Sequence, residues 1–216
     1  MKHWCLVVLA LFASVLASCN KDDADEDYST LTADMCDLQT NSKKVISMCV
    51  MDDGRQVQFV SPVTISWATT PDSTYRALLY YNKVAGSERI EPFSVLRSLC
   101  MTPKAANDSV VSQYKDPVQL ISSWYAKNGK YLNLCLAVKT GDSDGERAHT
   151  LAVINDSTSH SGHRHYLRVC HSQNGLPAYY SMETYSSIVV EDIPKGDTVT
   201  LSVPTFSGIV VKDMVK

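Results

Sequence analysis

The chain of 216 residues carries 20 Lys and Arg against 23 Asp and Glu, a net charge of −3, with 44% hydrophobic residues and seven cysteines. Nine Gly and eight Pro without a period exclude a collagen-like or low-complexity chain, and the hydrophobic fraction is too high for a disordered one. At about 100–200 residues per domain the length fits one domain or two small ones, and the near-balanced charge gives no general attraction to nucleic acid or anionic lipid.

The amino terminus reads as an export signal: Lys2 precedes the apolar run Trp4 to Ala13, and small residues follow. Spanning a bilayer takes about 20 apolar residues, whereas a signal core needs only about 7–15, so residues 1–18 are expected to be removed. Leu16-Ala17-Ser18-Cys19 resembles the bacterial lipobox, which implies cleavage before Cys19 and acylation of its thiol. Each buried CH₂ contributes about 0.8 kcal/mol, so several acyl chains on Cys19 would anchor the protein stably.

Residues 19–30 form an acidic tether, with Asp22, Asp23, Asp25, Glu26 and Asp27 against Lys21 and no large apolar side chain among residues 20–27. Lys21-Asp22-Asp23 directly after the lipidated cysteine resembles the surface-export signal of lipoproteins of Gram-negative gut anaerobes. That implies the outer face of the outer membrane; an acidic spacer on a periplasm-facing lipoprotein is the other reading. Setting aside Lys2, Lys21 and the five tether acids leaves 18 bases and 18 acids, interspersed, which does not suit a polyanion binder.

Residues 31–107 alternate as β-structure. Leu31 to Leu38 gives a first strand, with Ala33, Met35 and Asp37 on one face and Cys36 and Leu38 on the other. Val45 to Met51, the turn residues Asp52-Asp53-Gly54-Arg55, and Gln56 to Val60 predict a hairpin. Tyr75 to Val84 and Ile90 to Met101 follow, and five strands in this length predict a small OB-like barrel.

Residues 108–216 open with what reads as a helix start. Asp116 suits a cap, Pro117 suits the first helical position, and Val118, Ile121, Trp124 and Tyr125 recur at three- and four-residue spacings up to Asn128-Gly129. Strands are then expected over Lys130 to Val138, Ala148 to Ile154, His165 to His171, Tyr179 to Val190 and Asp197 to Val203. Regular spacing of this kind predicts a β-sandwich, so the fold class is all-β with one short helix, a barrel followed by a sandwich.

Taken together, the lipobox and tether, the Met48-to-Phe59 hairpin, the Asp116-Pro117 to Trp124 segment leading into Lys130-Tyr131-Leu132-Asn133-Leu134, and His171-Ser172-Gln173-Asn174-Gly175 resemble the NigD-like lipoproteins over essentially the whole chain. The resemblance implies an amino-terminal OB-type domain, a carboxy-terminal β-sandwich, and a bacteriocin-immunity role.

Chemistry-bearing clusters are few. His160, His163 and His165, with His149 and His171 nearby, supply imidazoles of the kind that ligate zinc or copper, yet the spacing matches no recognised site and reads equally as a polar hairpin turn. Cys36, Cys49, Cys100, Cys135 and Cys170 form no Cys-X-X-Cys motif. Cys135 and Cys170 fall out of phase with their apolar stripes and would pair if they face outward on neighbouring strands; otherwise the five pack as small hydrophobes. Asp142, Asp144 and Glu146 superficially resemble a calcium loop without its ligand pattern, and Glu191-Asp192 reads as a solvated turn. No nucleophile elbow, phosphate loop, dinucleotide fingerprint or zinc-protease motif occurs.

The expectation is therefore a non-enzymatic cell-surface lipoprotein without a cofactor, held in the outer membrane through Cys19. It binds an extracellular protein, peptide or glycan and no nucleic acid, with Trp67, Tyr75, Tyr80 and Tyr81 as candidate aromatic surfaces, most of them expected in the core. An accessory or hydrolase of a glycan-uptake system, or a structural envelope protein, is the alternative.

Overall fold

The computed structural model describes residues 31–109, 111–141 and 148–216. Cys19, the expected signal and tether, and Asp142, Asp144 and Glu146 of the expected calcium-like stretch lie outside the described residues. Thr32–Lys216 forms one compact unit.

Five strands build the first half: β1 (Thr32–Thr40), β2 (Ile46–Met51), β3 (Gln56–Val63), β4 (Thr74–Lys83) and β5 (Ile90–Arg97). They close into a barrel of order β1-β2-β3-β5-β4, with β1 paired to both β2 and β4. Side chains alternate across each strand, so Cys36, Leu38, Ile46, Cys49, Met51, Val57, Phe59, Ala77, Leu79 and Tyr81 fill the interior. Asp52-Asp53-Gly54-Arg55 makes the expected hairpin. Gly54 takes φ 88°, and Asp53 accepts from both the amide and the Nε of Arg55.

The second half is a sandwich of two sheets. One has the order β6 (Leu99–Met101), β12 (Tyr180–Val189), β9 (Tyr131–Thr140), β8 (Gln119–Tyr125). The other runs β14 (Gly208–Val215), β13 (Thr198–Thr205), β11 (Arg164–Ser172), β10 (Thr150–Thr158), β7 (Lys104–Ala105). Leu132, Leu134, Leu136, Val138, Val153, Leu167, Val169, Ile188, Val199, Leu201 and Val203 from both inner faces form its core. The all-β barrel-plus-sandwich architecture is the one the sequence predicts. The barrel's last strand ends at Arg97 and β6 begins at Leu99 in the sandwich, so the change of sheet falls at Ser98, against the boundary between residues 107 and 108 read from the sequence.

The expected helix at Pro117 to Tyr125 is absent among the described residues: Gln119–Tyr125 is the edge strand β8. Its register to β9 slips between Leu120 and Ser122. The bulge adds one residue to a period of two, and the apolar spacing then imitates a helical three or four. Val118 is buried, but Ile121 and Trp124 are exposed rather than packed inward. The Asp116 carboxylate accepts from the amide of Gln173 on the loop after β11 instead of capping a first turn.

Candidate functional site

Strand β1 is buried on both sides for much of its length, because its outer face turns toward the sandwich. Asp37 lies directly opposite Arg76 of β4, so both side chains leave the barrel on one face. Across the seam Ser187 of β12 lies directly opposite Asn133 of β9. The two cross-strand pairs meet. Arg76 donates from Nε to Ser187 Oγ at 2.9 Å and from Nη2 to Asn133 Oδ1 at 3.0 Å, while Nη1 reaches Asp37 Oδ1 at 3.3 Å.

Asp52, from the β2–β3 hairpin, completes the cluster. Arg76 Nη2 sits 2.8 Å from Asp52 Oδ2 and 2.6 Å from Oδ1, and Asn133 donates to Oδ2 at 2.6 Å. Tyr131 donates to Asp37 Oδ2 at 3.0 Å, and its ring lies 4.1 Å below the guanidinium. The Arg76 side chain is 2% exposed. Burial pushes the Asp52 carboxyl upward against the opposing pull of Arg76 and Asn133, and burial pushes the Tyr131 hydroxyl up to about 12. Each charge is partnered and hydrogen-bonded, the condition under which buried ions are tolerated.

Beside this lock the seam opens into a cleft of about 400 Å³. Asp34 of β1, Asp53 and Arg55 of the hairpin and Tyr80 of β4 form the barrel wall; Trp124, Tyr125 and Lys127 at the end of β8, with Tyr185 of β12, form the sandwich wall. The walls are joined where the amide of Asn128 donates to the carbonyl of Asp52 at 2.8 Å. Past Tyr125, Ala126 and Lys127 a wider depression of about 910 Å³ continues, with Lys130, Lys195, Lys216 and Glu191 along it. Lys216 Nζ is held by the carbonyls of Val190 and Ile193, both at 2.6 Å. Aromatic faces flanked by carboxylates and cations suit a ligand with both apolar faces and hydrogen-bonding groups, such as a saccharide or peptide.

Of the aromatics named from the sequence, Tyr80 alone lines this cleft. Trp67 and Tyr75 pack edge-on at 5.8 Å, and Tyr81 is inside the barrel with its hydroxyl donating to Asp34. The other aromatic walls are Trp124, Tyr125 and Tyr185: the first two were read as an inward helix face and Tyr185 was not singled out, and period-two alternation through Trp124 after a bulge was the available signal. The histidine cluster is divided. His163 Nδ1 and His165 Nε2 each lie 2.9 Å from a different oxygen of buried Asp197, whereas His160 is exposed, and no group of three or more His, Cys, Asp or Glu among the described residues is placed to hold a metal. His149 and His171 stack on one another elsewhere.

The five body cysteines carry free thiols. Cys135 and Cys170 are buried, in different sheets, which corrects the outward-facing pair drawn from their phase. Both faces of β9 are covered, so its out-of-phase positions are interior too. Glu191 follows β12 and borders the wider depression.

No protein-family model and no curated protein matches the sequence. Solved structures do match. A NigD-like immunity protein from Bacteroides caccae aligns at TM-score 0.66 and 18% identity over 85% of this chain and 91% of that one. A protein described as toxin-related from Parabacteroides distasonis aligns at 0.67 and 18% over 86% and 93%, and one described as a lipoprotein from Bacteroides fragilis at 0.57 and 10% over 85% and 96%. A closed five-strand barrel joined to a two-sheet sandwich, matched over most of the chain, gives this protein the NigD-like fold.

Proposed function

We propose that the protein is a non-enzymatic surface lipoprotein that binds an extracellular protein, peptide or glycan in the cleft at the barrel–sandwich seam. The observation that carries this is the open cleft with Trp124, Tyr80, Tyr125 and Tyr185 on its walls, set against the rigid Arg76 lock. In this reading residues 1–18 are the signal peptide and Cys19 bears the lipid. Residues 19–30 tether the barrel, whose strands end at Arg97, and the sandwich, whose strands begin at Leu99, to the outer membrane. The lipoprotein and immunity descriptions of its structural neighbours support the anchor and an immunity-like interception of a bacteriocin. A glycan-uptake accessory is the second reading, favoured by the aromatic walls with Asp34, Asp53 and Arg55 beside them.

The test is a paired screen of the parent and Trp124→Ala chains on glycan arrays and against secreted bacteriocins. Binding by the parent that weakens about tenfold or more in the variant supports the cleft. Binding unchanged in the variant refutes it, and turnover of any ligand refutes the non-enzymatic assignment. Whole-cell fractionation of Cys19→Ser, with release from the membrane expected, tests the anchor.

A further inference from the structure

Two of the five body thiols are neighbours inside the barrel. Cys36 of β1 lies opposite Met51, and Cys49 of β2 lies opposite Leu38, so on these adjacent antiparallel strands the two cysteines are diagonal partners. Both are fully buried and belong to the barrel core, so both side chains point inward. Inward Cβ atoms of neighbouring strands converge inside a closed five-strand barrel, and the two sulfurs are in side-chain hydrogen-bonding contact. On its other flank Cys36 lies opposite Ala77 of β4, so a single methyl bounds it there.

Among the described residues no other two cysteines sit on adjacent strands. Cys100 of β6 and Cys135 of β9 are separated by β12, and Cys170 of β11 lies in the other sheet of the sandwich. Contact with Cys49 and burial push the Cys36 thiol well up, so in the folded, reduced chain it stays protonated, and the thiolate is the form that reacts. The closed barrel also keeps solvent-borne oxidants from both sulfurs. Reaction of this pair therefore belongs to the folding chain, when β1 and β2 have met and the barrel has not yet closed over them. Those two strands are consecutive, and contacts that close only a short loop form early.

We propose that Cys36 and Cys49 become a disulfide when the chain folds in contact with an external disulfide, and that the closed barrel then seals the bond. One cysteine thiolate attacks the oxidant RS–SR, which forms a mixed disulfide and releases RS⁻. The second thiolate attacks the protein sulfur of that mixed disulfide and releases the other RS⁻. Two protein thiols are thereby oxidised to one disulfide, one external disulfide is reduced to two thiols, and the two cysteine protons pass to the released RS⁻ groups. The bond ties β1 to β2, and these strands with their hairpin carry Asp34, Asp37 and Asp52 of the seam. Export, as in the proposed function, brings the chain to such oxidants, and the pairing stands apart from whatever the cleft binds.

The test unfolds the reduced full chain in urea and refolds it in detergent with a mixture of oxidised and reduced glutathione. Mass spectrometry of the proteolytic fragments should then show Cys36 joined to Cys49, with Cys135 and Cys170 still open to alkylation in denaturant. Closing a loop of this length should raise Tm by about 6–12 °C over the reduced protein. Cys49→Ala refolded in the same way should show no such rise, whereas Cys100→Ser should behave as the parent does. Folded, reduced protein given the same mixture should react at exposed Cys100 and keep Cys36 and Cys49 as thiols. Cys36 and Cys49 left unbonded after refolding, a bond from either to another cysteine, an oxidised chain no more stable than the reduced one, or oxidation of the pair in the folded chain as fast as Cys100 would each overturn the proposal. Loss of ligand binding in the Trp124→Ala chain leaves this bond unaffected, so the two sites are decided separately.

Discussion

Replacing Arg76 with methionine removes the guanidinium that joins Asp37, Asp52, Asn133 and Ser187 while keeping an unbranched apolar stem. Removing one partner of a buried ion pair typically costs about 3–5 kcal/mol, because the remaining charge is left uncompensated. Here Asp37 keeps the Tyr131 hydroxyl and Lys130 at 3.4 Å, and Asp52 keeps Asn133, which places the loss near about 3 kcal/mol. For a folded unit the size of Thr32–Lys216, that lowers Tm by about 6–12 °C. Urea unfolding followed by tryptophan fluorescence measures it, and adding Asp52→Asn should restore about 1 kcal/mol or more by removing the charge left without a cation. The pH dependence has a definite sign. Burial already raises the Asp52 carboxyl in the folded chain, and loss of Arg76 raises it further, so the folded variant binds a proton before the unfolded one does and its deficit shrinks as pH falls toward 5. A loss below about 1 kcal/mol, or a deficit that grows on acidification, would show that Arg76 does not hold the seam.

The His149–His171 pair, with Nδ1 of the first 3.0 Å from Nε2 of the second and both rings held neutral by burial, predicts stability that is complete above about pH 6.5 and lost as pH falls through the depressed folded values, because the unfolded chain takes up protons the folded one refuses. Urea midpoints at pH 7.5 and 5.5 should fall in the parent and fall less in His149→Gln; equal slopes would contradict the neutral pair. Gly141→Ala would put a Cβ 2.8 Å from Pro177 and Tyr179, and such overpacking should cost about 1–3 kcal/mol in chemical unfolding, with an unchanged midpoint contradicting the contact. Ser187→Ala leaves Arg76 Nε without its partner at 2.9 Å and should lose about 1–3 kcal/mol by the same assay; a neutral result would mean that solvent replaces the hydroxyl.

Most strands were legible because each half of the fold has at least one face in contact with a core, which writes a period of two into Val57-Gln58-Phe59 or Leu132-Asn133-Leu134. The hairpin at Asp52 to Arg55 was legible for a local reason, its Gly54 requiring positive φ. Strand β8 was misread because a bulge shifts its phase between Leu120 and Ser122. Strand β14 was not foreseen: Ile209, Val210 and Val211 are all exposed on a sheet edge, so no buried face imposes alternation there. The seam was opaque for a different reason. Asp37 and Arg76 are 39 positions apart, and only strand register places them opposite one another. Asp52 looked like an ordinary turn residue, since nothing local distinguishes a solvated turn carboxylate from one that reaches Asn133.

The binding role of the seam is tested most directly by placing a photo-crosslinking phenylalanine analogue at Trp124 in living cells, with Phe93, which is 70% exposed on the barrel, as the control position. Adducts with an extracellular protein, peptide or glycan should form from position 124 and be competed away by excess soluble protein, while position 93 stays unreacted. Equal labelling from the two positions, or no adduct at 124 from cells that display the protein, would contradict the seam as the binding site.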